Sequence, residues 1–223
     1  MRSAVSTSGL SIVPVGLRVE GRRVLVVGAG RIAARKAATY VDQGAVVTVV
    51  APEHGPEMGR VAVAESVVRR FRPHDLRGVW LVVAATGDPA VDGAVYRAAE
   101  RRRIWCNAAD DPANCSAILP AVARRGDVTV AVSTGGTSPA TASWIRRRVE
   151  ALIDDDTLAV ADAAAAVRTE VRAAGRSTEV PGWAEVLDDA ALELVAAGRS
   201  DELRERLAAA VAPELLHATE VPG

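Results

Sequence analysis

RVLVVGAGRIAA, residues 23–34, is the stretch on which the reading of the fold turns. Arg23–Val27 is a short apolar run rich in β-branched residues, which predicts a strand buried on both faces. Gly28, Ala29 and Gly30 follow at once and predict a tight turn. From residue 31 to 43, apolar or small side chains at Ile32, Ala33, Ala37, Tyr40 and Val41 recur at helical spacing, and Gly44 stops the helix. Residues 46–50 (VVTVV) then supply a second strand. Strand, turn, helix and strand in that order form a βαβ unit, whose two strands run parallel.

Within this unit Gly28-x-Gly30-x-x-Ala33 has the spacing of a dinucleotide-binding fingerprint. The first glycine makes the turn, the second lets a pyrophosphate approach the backbone, and the small third residue lets helix and strand pack closely. The unpaired N–H groups of the helix start then face the phosphates. One feature departs from the pattern. An acid is expected at the end of the second strand to hold the ribose hydroxyls, and Val50 stands there; the first acid is Glu53, just past Pro52. No basic residue lies between residues 50 and 53 to hold a 2′-phosphate, so NAD is favoured over NADP.

The alternation continues outward. Strands are expected near residues 66–70, over 79–85 (VWLVVAA) and over 104–108 (IWCNA), with a helix from Pro89 to Arg102. This predicts a doubly wound parallel sheet with its ligand crevice at the carboxyl ends of the strands. After Asp110 the pattern changes. Residues 111–114 read as a turn, 117–121 as strand-like, 124–126 as a hairpin loop and Val128–Val132 as a strand. Residues 133–139 (STGGTSP) form a polar glycine-rich loop ahead of a helix from about Ala140 to Leu152. From Asp154 onward the chain is Ala-rich and helical, with no further strand. The expected fold class is α/β: a Rossmann-type domain over residues 1–115, a small α+β region over 116–152 and a helical region over 153–223.

Composition narrows the function. The 223 residues are 49% hydrophobic and 25% charged, with aromatics at 3%, so Ala, Val and Leu must fill the core. A net charge of −1 argues against a general nucleic-acid binder. Arginines 101–103 and 146–148 cluster locally, either as solvated helix ends or as anion-binding groups. Cys106 and Cys115 match no metal-ligand spacing, and nothing else suggests an oxidising compartment. His54, His74 and His217 are scattered and form no metal triad, so no metal ligand is assigned. No stretch is apolar enough for a membrane span, and a cytoplasmic protein is expected.

Five strings taken in order make the pattern specific: VEGRRVLVVGAGRIAARKAA (19–38), VVTVVAPE (46–53), WLVVAATGDPAVD (80–92), WCNAADDPANCSAILPA (105–121) and VTVAVSTGGTSPATA (128–142). Together they resemble the precorrin-2 dehydrogenase family, including the amino-terminal module of multifunctional siroheme synthase, over about residues 16–152. The Arg35–Lys36 pair, the N-x-x-D string and the STGGTSP loop carry more of the likeness than the fingerprint does. The resemblance implies NAD-dependent oxidation of the tetrapyrrole precorrin-2 to sirohydrochlorin, in some members ferrous-iron insertion as well. It also implies a homodimer joined through residues 116–152.

The N-x-x-D string runs from Asn107 to Asp110, and the resemblance implies that Asp110 is the catalytic carboxylate. Removing two hydrogens from a reduced macrocycle needs a hydride acceptor and a base, so a carboxylate at the sheet edge suits the chemistry. Asp111 beside it would raise its pKa by like-charge repulsion. The competing reading is an Asp that caps a turn before Pro112. The resemblance maps cofactor contacts to Arg31, Ile32, Pro52 and Glu53, with Ala85 and Thr86 as a further crevice wall. Asn107, Ser133, Thr134, Gly135 and Gly136 are the candidate donors to substrate carboxylates. Ser138 before Pro139 also reads as a helix N-cap, and both readings can hold at once. Some family members carry Lys where Thr137 stands. An NAD-sensing regulatory module without catalysis would share the same βαβ unit. A small hydroxy-acid dehydrogenase ranks last, because the strand edges offer no His or Lys acid/base.

Overall fold

The computed structural model describes residues 12–108 and 111–212. Five parallel strands, β1 (Arg23–Val27), β2 (Val46–Ala51), β3 (Glu65–Val68), β4 (Leu81–Ala84) and β5 (Trp105–Ala108), form one sheet in the order β3-β2-β1-β4-β5. Val27 pairs with Val50 on one side and with Ala84 on the other, so three strand ends reach the same edge. The order reverses between β1 and β4, and that is where an open α/β sheet offers its crevice.

Side-chain alternation decides what covers each face. Val24, Val26, Val47, Val49, Leu81 and Val83 pack with Ala33, Ala34, Ala37 and Tyr40 of helix α1 (Arg31–Val41). Leu25, Val27, Val82, Ala84 and Cys106 pack on the other face with Val95, Ala98 and Ala99 of helix α2 (Pro89–Glu100). The doubly wound expectation therefore holds. With so few aromatics, alanine ridges bring both helices close to the sheet, and β1 and β4 are buried on both sides, while the edge strand β3 is largely exposed. The connections on either side of β3 carry only short 3₁₀ turns, at Met58–Arg60 and Pro73–Leu76.

The described chain divides into two compact units. The first runs to Leu119 and includes Gly135–Thr137; the second takes Pro120–Thr134 and everything from Ser138. In the second unit β6 (Ala121–Arg125) pairs antiparallel with β7 (Val128–Val132), and Arg125 faces Val128. Two boundaries differ from expectation here. Residues 117–120 are not a strand, because Ser116 and Ala117 donate their N–H groups to Cys106 O at 2.8 and 2.9 Å, and Pro120 has no N–H to offer a ladder. The strand starts at Ala121 and runs through Arg124 and Arg125, which leaves Gly126 and Asp127 as the two-residue turn. Helix α3 (Pro139–Glu150) packs on this hairpin. Helices α4 (Asp155–Ala173), α5 (Gly182–Val186), α6 (Asp189–Ala196) and α7 (Ser200–Val211) share a core of Val167, Val171, Val186, Ala191, Leu203 and Leu207. Among the described residues no strand follows Val132, and no helix is long and apolar enough to cross a membrane.

Candidate dinucleotide site

Gly28 stands where β1 ends. Its N–H donates to Val50 O at 3.0 Å, and the N–H of Ala85 donates to Val27 O at 2.9 Å, so the exits of β1, β2 and β4 are tied together. The backbone of Gly28 has φ 108°, and a Cβ there would lie 2.2 Å from Ala85 O. No side chain fits, which is why the predicted wall residues Ala85 and Thr86 sit directly against the turn.

Gly30 differs. It is the N-cap of α1, and a Cβ placed on it would meet nothing within 4 Å. No side chain caps the helix, and its first turn holds no acid. The N–H groups that open an α-helix lack internal partners, and the helix dipole favours negative charge there. Arg31 and Ile32 are exposed at this end, whereas Ala33 is fully buried against the sheet. Open space above a glycine, uncapped N–H groups and no acid in the first turn of the helix fit a pyrophosphate.

The loop after β2 folds back over the turn: Gly55 N donates to Ala29 O at 3.2 Å. Pro52 and Glu53 are exposed on that loop, and His54 is half-buried, its Nδ1 2.9 Å from Ser66 Oγ on β3. Across the cleft, Thr86 is held by a residue the sequence did not single out. Asp92 is 5% exposed, and its Oδ1 accepts from Thr86 Oγ1 at 2.7 Å and from Thr86 N at 3.1 Å. Asp88 caps α2 by accepting from Ala90 N, so Asp88 and Asp92 together set the path of the chain leaving β4.

The remaining candidates fall in three groups. Asp110 lies outside the described residues, but its neighbour Asp111 does not. Asp111 caps the turn Pro112–Asn114, accepting from Asn114 N at 3.3 Å and Asn114 Nδ2 at 2.6 Å. Asn107 is 4% exposed and engaged at both ends of its amide. Its Oδ1 accepts from Lys36 Nζ at 2.6 Å, and its Nδ2 donates to Ala117 O at 2.6 Å. In the STGGTSP loop, the Oγ1 of Thr134 donates to Ser138 O and accepts from Ser138 N, at 3.0 and 3.1 Å. Gly135 and Gly136 turn with positive φ, and Ser138 caps α3 by accepting from Thr141 N. The cofactor candidates belong to the first unit, as do Gly135 and Gly136; Ser133 and Thr134 belong to the second.

Cys106 and Cys115 are free thiols. Burial, with Cys115 as the next contributor, pushes the Cys106 thiol up to about 12. Burial and the same neighbour push the Tyr40 phenol up to about 12, and no described residue accepts its hydroxyl.

Comparison with known proteins agrees with this geometry. Residues 15–121 match a family model described as “Putative NAD(P)-binding”, and residues 125–152 match one described as “Sirohaem biosynthesis protein central”. Siroheme synthase 3 of Aeromonas hydrophila is 40% identical over 167 residues, 74% of this chain and 36% of that protein. The siroheme synthase of Ectopseudomonas mendocina is 36% identical over 214 residues, 93% of this chain and 46% of that protein. The solved structure of SirC, a precorrin-2 dehydrogenase, superposes with a TM-score of 0.67 at 25% identity, covering 88% of this chain and 98% of that one. The chain belongs to the precorrin-2 dehydrogenase and siroheme synthase family. It spans less than half the length of the siroheme synthases it matches. The five-stranded unit is the NAD-binding domain of this family, and β7 with α3 falls within the central segment, which begins at Arg125, the last residue of β6. Two engaged side chains in the domain, Lys36 and Asp92, were not assigned roles from the sequence. Lys36 had a visible sign in the Arg35–Lys36 pair; Asp92, inside a helix, had none.

Proposed function

We propose that this protein dehydrogenates precorrin-2 to sirohydrochlorin with NAD. The observation that carries the reading is the uncapped start of α1 beneath Gly30, in a chain whose relatives are siroheme synthases. Bound NAD supplies the hydride acceptor. The chain's residues do the rest. Gly28 and Gly30 give the turn, and the N–H groups of Arg31, Ile32 and Ala33 hold the pyrophosphate. Glu53, set past Pro52 on the loop, takes the ribose hydroxyls in place of the acid missing at Val50, and its charge disfavours a 2′-phosphate. Ala85 and Thr86 form the opposite wall. Asp110 accepts the proton released as the macrocycle is oxidised. Ser133, Thr134, Gly135 and Gly136 are the donors we assign to the substrate's carboxylates. We also propose a cytoplasmic homodimer joined through residues 116–152.

Incubation of the protein with precorrin-2 and NAD should yield NADH absorbance and the sirohydrochlorin spectrum together. Asp110→Ala should abolish that turnover while leaving NAD affinity intact. NAD binding with no oxidation by the parent protein would overturn the assignment in favour of a nucleotide-sensing module. Adding ferrous iron to the same reaction reads iron insertion directly, since sirohydrochlorin and siroheme differ in spectrum.

A further inference from the structure

We propose that Lys36 and Asn107 are positioning residues that close the base of the loop carrying the proposed base, an inference that rests on the dehydrogenase reading above. Residues 106–107 and 115–117 are fastened to one another. Ser116 N and Ala117 N donate to Cys106 O at 2.8 and 2.9 Å, and Cys106 N donates to Ser116 Oγ at 2.9 Å. Asn107 adds its amide: Nδ2 donates to Ala117 O at 2.6 Å and points to Cys115 Sγ at 3.8 Å. Residues 106–107 and 115–117 are therefore held together, and Asp110 falls between them in the sequence. Its neighbour Asp111 is already committed to its own turn.

Among the described residues, one bond in this fastening comes from far along the chain. Lys36 comes from the middle of α1, 71 residues away, and its ammonium donates to Asn107 Oδ1 at 2.6 Å. A charged donor on a buried amide is a strong, short bond, and it fixes which end of the amide faces Ala117. If the amide flipped, Ala117 O would meet an oxygen and Lys36 would meet an N–H₂. Lys36 thereby ties the loop base to the same helix whose start faces the pyrophosphate. The residue type matters as well. Lys36 is the one lysine among 27 lysines and arginines. An ammonium on a slim stem reaches the buried Asn107 oxygen, where a planar guanidinium fork would need more room. Asn107 is thus committed to the protein rather than to the substrate.

Two readouts test this. Lys36→Met keeps the unbranched stem and removes the donor. In it, amide exchange over residues 106–117 should rise by about tenfold, with β1 and α1 unchanged. If the parent protein oxidises precorrin-2, kcat of the variant should fall by about tenfold to a hundredfold. Its KM for precorrin-2 and its Kd for NAD should stay within about twofold of the parent values. Asn107→Leu should behave alike; if it does not fold, Lys36→Met decides. Unchanged exchange overturns the proposal. So does a raised KM with kcat preserved, which would make Asn107 a substrate ligand. The exchange arm needs no turnover, so a failure of the dehydrogenase reading is seen in the parent protein and is distinct from a failure of the clamp.

Discussion

Gly28 and Gly30 carry one fingerprint but answer to different forces, and substitution should separate them. At Gly28 a methyl group would lie 2.2 Å from a backbone oxygen at φ 108°. Relief requires the exits of β1 and β4 to part, at a cost of about 3 kcal/mol or more. Gly28→Ala should therefore lower the thermal midpoint and abolish NAD binding together. At Gly30 the methyl group would enter open space at φ −77°, where an L-residue is relaxed. Gly30→Ala should melt with the parent protein yet bind NAD about tenfold or more weakly, because the methyl occupies the approach of the pyrophosphate. Melting curves and NAD titrations of the pair decide the matter; equal effects in both assays would show that Gly30 serves the fold rather than the ligand. These glycines were legible in the sequence because their meaning is local. The partners of Asn107 were not, since Lys36 lies 71 residues away and no pattern along the chain predicts which side chains meet across a sheet.

At the scale of elements, the same division between local and distant causes explains what could be read in advance. Strands β1, β2 and β4 are apolar runs between breakers, recognisable because a strand buried on both faces holds few polar residues. The edge strand β3, by contrast, is largely exposed, carries Glu65 and Ser66, and runs over Glu65–Val68 rather than the expected 66–70. The hairpin was harder. Alanine and valine before Arg124 suit either conformation, and only Pro120 and the backbone bonds of Ser116 and Ala117 to Cys106 decide where β6 begins. Helix α2 gives the clearest element-level prediction. Asp92 in its first turn is buried and holds the hydroxyl and N–H of Thr86, while Asp88 caps the helix. Asp92→Ala leaves the Thr86 N–H without its acceptor and the hydroxyl with only Asp88 O at 3.3 Å, at a cost of about 1–3 kcal/mol. The urea midpoint should fall accordingly, and NAD affinity should weaken because the wall after β4 is no longer held. A stability loss with NAD affinity untouched would show that Thr86 lies apart from the cofactor.

For the whole molecule, ionisation acts differently on the two units, and pH should separate them. Both have carboxylates held low. For Asp75 in the sheet unit, burial opposes ionisation, but the Arg69 guanidinium at 2.7 and 2.8 Å and the N–H of Arg72 outweigh it. In the helical unit Asp154 is lowered by its bonds from Thr157, and Asp188 by Arg206. A lowered carboxylate contributes stability that is complete above its ordinary value of 3.8 and is lost as pH falls below it. Acid therefore weakens both units. Base does not. Cys106 and Tyr40, both in the sheet unit, are pushed up to about 12, from ordinary values of 9.0 and 10.0. Their neutral forms stabilise the fold fully below those ordinary values, and that contribution is lost as pH rises from there through about 12. Stability should accordingly be flat between about pH 5 and 8 and fall on both sides. Between pH 9 and 11 amide exchange should accelerate in β1, β4, β5 and α1 relative to α4 and α7, after correction for the intrinsic rise in exchange with pH. Parallel loss in both units, or earlier loss in the helices, would show that these two buried groups do not govern the alkaline limit. Cys106→Ala separates their shares: it removes the thiol's part and should shift the onset of loosening from near 9 toward the phenol's range above 10.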